Sequence, residues 1–133
     1  MTRYVITPAV ALRLAADATG VADGHRLLAP TLLRSQVLSQ LYREVREGGL
    51  TRQDADRRLD AVRGLRLRLL GDRVLQRVAW TIADGLGWPD TLDAEYLALT
   101  RLQADALVTL DPRLAAAAEG VVPVAPWEAL VAG

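Results

Sequence analysis

The sequence predicts an α/β fold: a three-layer α/β/α sandwich around a mostly parallel sheet of four or five strands. Three observations lead there. Short apolar runs alternate with stretches of helical periodicity, the pattern of a parallel sheet covered by helices on both faces. Three of those runs end at a proline junction, Thr7-Pro8, Pro30-Thr31 and Asp111-Pro112, as where a strand passes directly into a helix. And 133 residues with 51% hydrophobic and 24% charged side chains suffice for one well-buried core, so a single domain over residues 1–133 is expected.

The elements follow in order. Tyr4 to Ile6 is a strand leading into Thr7-Pro8 and a helix from Ala9 to Ala16, with Thr7 placed to cap it. Leu27 to Ala29 is the second strand, before a helix from Leu32 to Glu47 that Gly48-Gly49 stops. Thr51, with Asp54 three residues on, caps a helix from Arg52 to Val62. Leu65 to Leu69 is the third strand, and Gly71-Asp72 opens a helix from Arg73 to Leu86. The segment "GLGWPDTLDAEYLAL" reads as a helix end, a turn at Pro89 and a new helix from Leu92 to Gln103, capped by Asp90 or Thr91. Ala106 to Thr109 is the fourth strand, Pro112 to Ala118 a short helix, and Val121 to Val124 the last strand. No repeat or low-complexity linker interrupts this order.

Composition removes several classes of function. Without cysteine there is neither a disulfide nor a thiolate metal site, which suits a reducing compartment. No apolar run reaches the roughly 18 residues of a membrane span, and the N-terminus lacks the regions of a signal peptide. A cytoplasmic protein outside the membrane is expected. Sixteen basic and sixteen acidic side chains cancel, so any attraction to nucleic acid must come from a local patch. One is visible between positions 57 and 77, where Arg57, Arg58, Arg63, Arg66, Arg68, Arg73 and Arg77 face only Asp60 and Asp72. That segment reads either as a solvated face or as a surface for RNA phosphate or an acidic partner. His25 has no second histidine or cysteine with which to hold a metal and reads as a surface residue. Trp80, Trp88 and Trp127 read as packing the core or its rim.

In a parallel sheet, active sites collect where strands end and helices begin. Asp111 sits there, though capping alone would account for it. Asp93, in the first turn of its helix, is accounted for by the macrodipole. Taken together they say more. A helix beginning Thr-x-Asp-Ala-x-Tyr-x-Ala-Leu at Thr91, followed by a strand ending Val-Thr-x-Asp-x-x-Leu at Val108, resembles the C-terminal half of the PIN-domain ribonucleases, especially the VapC-type toxins of toxin–antitoxin pairs. "YVITPAVALRLA" and "LLAPTLLRSQVLSQLYREVREGGLT" extend the resemblance over nearly the whole chain.

The resemblance implies a PIN-like fold with the first strand central, and four acids that hold Mg²⁺ or Mn²⁺ at the C-terminal edge of the sheet. Hard oxygen ligands suit such ions, which activate water and stabilise the oxyanions of a phosphodiester. Carried over residue by residue, the last two acids are Asp93 and Asp111, with Thr109 as their polar neighbour. The first two are replaced: Thr7 stands at the end of the first strand and Gln36 within "LLRSQVLSQLY". Two negative charges remain of four, with Thr7, Gln36 and Thr109 as supporting oxygens and weaker metal binding expected. Asp90 or Asp72 would compensate if turned toward the strand ends, and Glu95, two residues beyond Asp93 and so on a different side of the helix, is the poorer candidate. Three readings stay open: a VapC-like Mg²⁺-dependent endoribonuclease of reduced strength; a catalytically inactive PIN-like protein that binds RNA or an antitoxin-like partner; and an interaction module whose caps resemble a site. A homodimer through the apolar face of Leu32 to Tyr42 is expected by the same resemblance, and core packing is the other account of that face.

Overall fold

The computed structural model describes residues 1–17 and 20–131. Its elements are β1 (Thr2–Ile6), α1 (Pro8–Ala16), β2 (His25–Pro30), α2 (Leu32–Arg46), α3 (Arg52–Arg63), β3 (Leu67–Leu70), α4 (Arg73–Leu86), α5 (Leu92–Gln103), β4 (Ala106–Val108), α6 (Pro112–Ala118), β5 (Val124–Ala125) and α7 (Glu128–Val131). The five strands pair in the order β3-β2-β1-β4-β5, and every pairing is parallel. This is the α/β sandwich that the alternating pattern predicts, with the first strand in the middle.

The sheet is apolar on both faces because helices cover both. Val5, Ile6, Leu27, Leu28, Leu107 and Val108 are buried in successive positions of their strands, as a parallel sheet requires. Helix α5 packs across β1, β2 and β4 and against α4, while α1, α2 and α3 pack on one another. Ala94 and the run from Tyr96 to Thr100 are all buried, so α5 is the most enclosed helix.

Several boundaries differ from the sequence reading for reasons visible in the backbone. Leu65 donates to the Val62 carbonyl and Leu67 to that of Leu65, so the chain is still turning there and β3 starts at Leu67. Val121 and Val122 both donate to the Ala118 carbonyl, which keeps them in the turn after α6 and leaves only Val124 and Ala125 to pair with β4. The short α7 after Pro126 had no periodicity to announce it. Asp72 caps α4 through Leu75 N–H at 2.8 Å, Thr51 caps α3 through Asp54 N–H at 3.1 Å, and Gly87 closes α4 at φ +68°, where a side chain would be strained.

Two side-chain expectations need correction, those for Trp80 and His25, while Trp127 and Trp88 pack the core and its rim as expected. Trp80 is 71% exposed, because the core face of α4 is taken by Leu75, Ala79, Ile82 and Ala83 and Trp80 points away from it. Trp127 is buried, with the Arg13 guanidinium 4.1 Å above its ring, and Trp88 is half-buried. His25 is half-buried rather than a free surface residue, its ring edge-on to Tyr4 at 5.2 Å between centroids.

Candidate functional site

The strand order reverses direction at β1: β2 and β3 extend to one side, β4 and β5 to the other. In such a sheet the crevice outside the carboxyl ends of the strands at the reversal is the natural ligand site. Register fixes what lies there. Ile6 pairs with Val108, so the next residues out of the sheet, Thr7 and Thr109, emerge side by side. A cleft of about 620 Å³ opens at this place, lined from β1 by Thr7, from β4 and α6 by Thr109 and Asp111, from α5 by Asp93 and Tyr96, and from α2 by Gln36, Ser39, Gln40 and Arg43.

The residues singled out at the PIN-like positions, Thr7, Gln36, Asp93, Thr109 and Asp111, therefore share one cleft. Asp111 is held by its own turn: its carboxylate accepts from Arg113 N–H at 2.9 Å, and its N–H donates to Thr109 Oγ1 at 3.1 Å. Thr109 thus fixes the backbone of Asp111 as well as lining the cleft. Asp93 reaches the cleft from the first turn of α5, where the helix dipole favours it. Its carboxyl is nevertheless raised above the ordinary aspartate value, first by loss of solvent and then by the charges of Asp111 and Asp90. The two acids crowd each other electrostatically, a situation that a cation between them would relieve.

Thr7 behaves differently from the cap it was expected to be. It occupies the N-cap position of α1 with extended backbone, but its side chain accepts no cap hydrogen bond. The residue is only 6% exposed, and its hydroxyl is buried with no hydrogen-bond partner among the described residues. Such a buried hydroxyl is uncommon in folded proteins.

Gln36 also differs from expectation. Its carbonyl oxygen accepts from the Tyr96 phenol at 2.6 Å, a bond that ties α2 to α5 across the end of the sheet. Tyr96 is almost fully buried, and burial, followed by the charges of Glu95 and Asp93, pushes its phenol well above the usual tyrosine range. It stays a proton donor. The oxygen of Gln36 that was expected to support a metal is thus engaged elsewhere.

The proposed compensating acids are outside the cleft. Asp90 accepts from Leu92 N–H at 3.1 Å in the turn before α5, close enough to act on Asp93 but not lining the cleft. Asp72 caps α4 beyond the edge strand β3. Glu95 is half-buried on another face of α5, and burial raises its carboxyl. Among the described residues no three acids, histidines or cysteines lie together in a metal-binding group.

Nor does the arginine-rich segment reach the cleft. Arg57 pairs with Asp54 and Arg63 with Asp60, each along α3. Arg58, Arg66 and Arg68 are exposed, with no salt-bridge partner among the described residues, and none of the five lines the cleft. The cation that does line it is Arg43, which donates to Ser39 Oγ at 3.4 Å. Arg43, Ser39 and Tyr96 escaped the sequence reading. The signal for the first two is the polar stripe at positions 36, 39, 40 and 43 of α2, spaced for one helix face. No sequence signal connects Tyr96 to Gln36, 60 residues away.

No protein-family model matches the chain, and no curated protein matches it. A solved structure does: the crystal structure of PAE2754 from Pyrobaculum aerophilum is similar with a TM-score of 0.78 at 24% sequence identity, over 98% of this chain and 93% of that one. The likeness is one of fold, and the five-stranded parallel sheet flanked by helices is what this chain has in common with a known structure.

Proposed function

We propose that this chain is a PIN-like protein of the VapC type and that the cleft is a Mg²⁺- or Mn²⁺-dependent endoribonuclease site of reduced acidity. The observation that carries the reading is the convergence of Asp93, Asp111 and Thr109 with Thr7 and Gln36 at the strand-order reversal, in the order the family motifs require. The donor set fits one divalent ion. Mg²⁺ is commonly held by one or two carboxylates together with substrate phosphate, and the mutual repulsion of Asp93 and Asp111 favours a shared cation. It does not fit two ions, because Thr7 and Gln36 bring no charge and the Gln36 oxygen is engaged by Tyr96.

When bound, the ion would stabilise charge developing on a phosphodiester and acidify a water molecule. The chain's own contribution is to fix that geometry. Asp111 is immobilised by Thr109 and Arg113, Asp93 is carried on the most enclosed helix, and the bond from Tyr96 to Gln36 holds α2 over the cleft. RNA is the substrate on this reading, an antitoxin-like protein a partner, and the cytoplasm the place of action. A homodimer would cover Leu38 and Tyr42, which are 56% and 63% exposed on α2 while Leu33, Val37 and Leu41 of the same stretch are buried.

One observation favours a second reading, a PIN-like protein that recognises RNA or a partner without cutting: a lone pair of acids in a site of four positions. Calorimetric titration of metal-free protein with Mn²⁺, beside an RNA cleavage assay, separates the two. The nuclease reading expects binding in the micromolar range, cleavage, and loss of both in Asp93→Asn. Absence of binding up to millimolar Mn²⁺, or binding unchanged in Asp93→Asn, would defeat it.

A further inference from the structure

The residues of α2 that line the cleft include one cation, Arg43, and no carboxylate. The Gln36 carbonyl accepts from Tyr96, and the NH₂ of the same amide has two protons to donate. Ser39 Oγ accepts from Arg43, and its hydroxyl proton is available to donate. Arg43 is a donor only and carries a full positive charge. At the floor lies the buried, unpartnered hydroxyl of Thr7. Asp93 from α5 and Asp111 from the start of α6 line the same cleft. The charges of the cleft are thus divided between elements: carboxylates on α5 and at the start of α6, and on α2 N–H and O–H donors around a guanidinium.

A cation belongs with the carboxylates; α2 is matched to an acceptor-rich anion. Tetrahedral phosphoryl groups fit best, since their several oxygens can accept from a guanidinium, a hydroxyl and an amide together, and bonds between charged partners are the stronger kind. We propose that α2 forms a seat for a phosphoryl anion, held by Arg43, Ser39 and the Gln36 amide, and independent of a metal at the carboxylates. The identification of that anion as a phosphodiester of single-stranded RNA rests on the nuclease reading; the seat itself does not. In the metal-free protein a glutamate at position 36 would repel the phosphate that the amide attracts, a repulsion that a bound divalent ion would offset.

The test uses the full chain in EDTA, so that metal plays no part. A fluorescein-labelled single-stranded DNA oligonucleotide, which lacks the 2′-hydroxyl and is not cut, is titrated by anisotropy at several salt concentrations, and adenosine 5′-monophosphate is titrated by calorimetry. Arg43→Ala should weaken oligonucleotide binding about tenfold or more, the loss of one charge-assisted contact. It should also lower the salt slope by about 0.7, the value of one phosphate contact on a single strand. Ser39→Ala should weaken binding less, and Asp93→Asn, which removes an opposing charge, should tighten it. Arg43 is exposed, so its removal leaves the fold intact, and a melting curve checks this.

If only the monophosphate binds and depends on Arg43, the seat stands with a free phosphate ester as its ligand. If neither probe binds, if Arg43→Ala binds both as the parent does, or if the loss follows Arg66→Ala and Arg68→Ala instead, the seat is overturned. Mn²⁺ binding in Arg43→Ala reports separately on the nuclease reading, which fails on the loss of metal and not on the loss of anion binding.

Discussion

Helix α2 separates two depressions lined by different kinds of side chain, mostly aliphatic in one, with Arg34 and Arg63, and mostly short polar and acidic in the other. On one side is the cleft of about 620 Å³, faced by Gln36, Ser39, Gln40 and Arg43; on the other is a groove of about 430 Å³ between α2, α3 and β3, lined mainly by Leu33, Val37, Leu38, Leu59, Val62 and Leu67. Both come from one 15-residue helix whose polar and apolar stripes are each spaced three to four residues apart. The difference lies in what the sheet offers to each stripe. At the strand ends, backbone groups and short polar residues leave the sheet unfinished and a polar stripe finds partners there. At the edge strand β3 the neighbours are leucine side chains, so the apolar stripe continues the core. The two depressions differ in their place on the sheet: the polar cleft lies at the strand ends, the groove beside the edge strand β3.

The largest expected effect sharpens the polar side. Thr7→Asp with Gln36→Glu should restore a four-acid site and raise RNA cleavage substantially. Tyr96 already donates to position 36, so a carboxylate there keeps that bond and strengthens it. Because position 7 is enclosed beside Asp93 and Asp111, the metal-free double variant should be less stable than the parent. Mn²⁺ should raise its melting temperature more, each tenfold gain in affinity adding about 1.4 kcal/mol of stabilisation at saturating metal. A double variant that folds, gains no metal response and cleaves no better would count against the lost-ligand account.

The next effect belongs to the apolar side. Leu33 is 1% exposed, and Leu33→Ala should cost about 3 kcal/mol of stability through lost burial and a residual cavity. Its Mn²⁺ affinity should remain that of the parent, and a parallel loss of affinity would mean that the two sides of α2 are not separable.

The smallest effect is one of pH. The folded chain holds the Asp93 proton above the ordinary value of 3.8 that the unfolded chain has, so the native state binds the proton more tightly. Stability without metal should therefore fall as pH rises through the interval between those two values, with the loss fully present above it. Asp93→Asn should remove this fall and be the more stable protein at neutral pH. Melting curves of the two proteins that stay parallel from pH 4 to 8 would show that Asp93 is not crowded.

Much of this organisation was legible in the sequence because it depends on local chemistry. Helix boundaries at Gly48, Thr51, Asp72 and Gly87 follow from capping residues and glycine, and the parallel sheet follows from apolar runs between amphipathic helices. The gathering of Asp93 with Asp111 was readable through motif order. What was not readable depends on distant partners. Thr7 looks like any capping threonine until the structure shows its hydroxyl enclosed and unpaired. Gln36 looks like a neutral metal ligand until Tyr96, on another helix, is seen to occupy its oxygen. Trp80 was misread because α4 has apolar residues on more than one face, and only packing against α5 decides which is inside.

The pairing of β1 with β4 also bears on the order in which the molecule is made. Tyr4 pairs with Ala106, and Arg3 N–H donates to Asp105 at 2.8 Å across a sequence separation of 102 residues. Closing so long a loop carries an entropic cost that local helices and the β1–β2 pairing do not face. A nascent chain that ends at Gln103 already contains Thr7, Gln36 and Asp93 but lacks the strand that seats Thr109 and Asp111. The acidic pair of the cleft comes into being only when the last quarter of the chain docks.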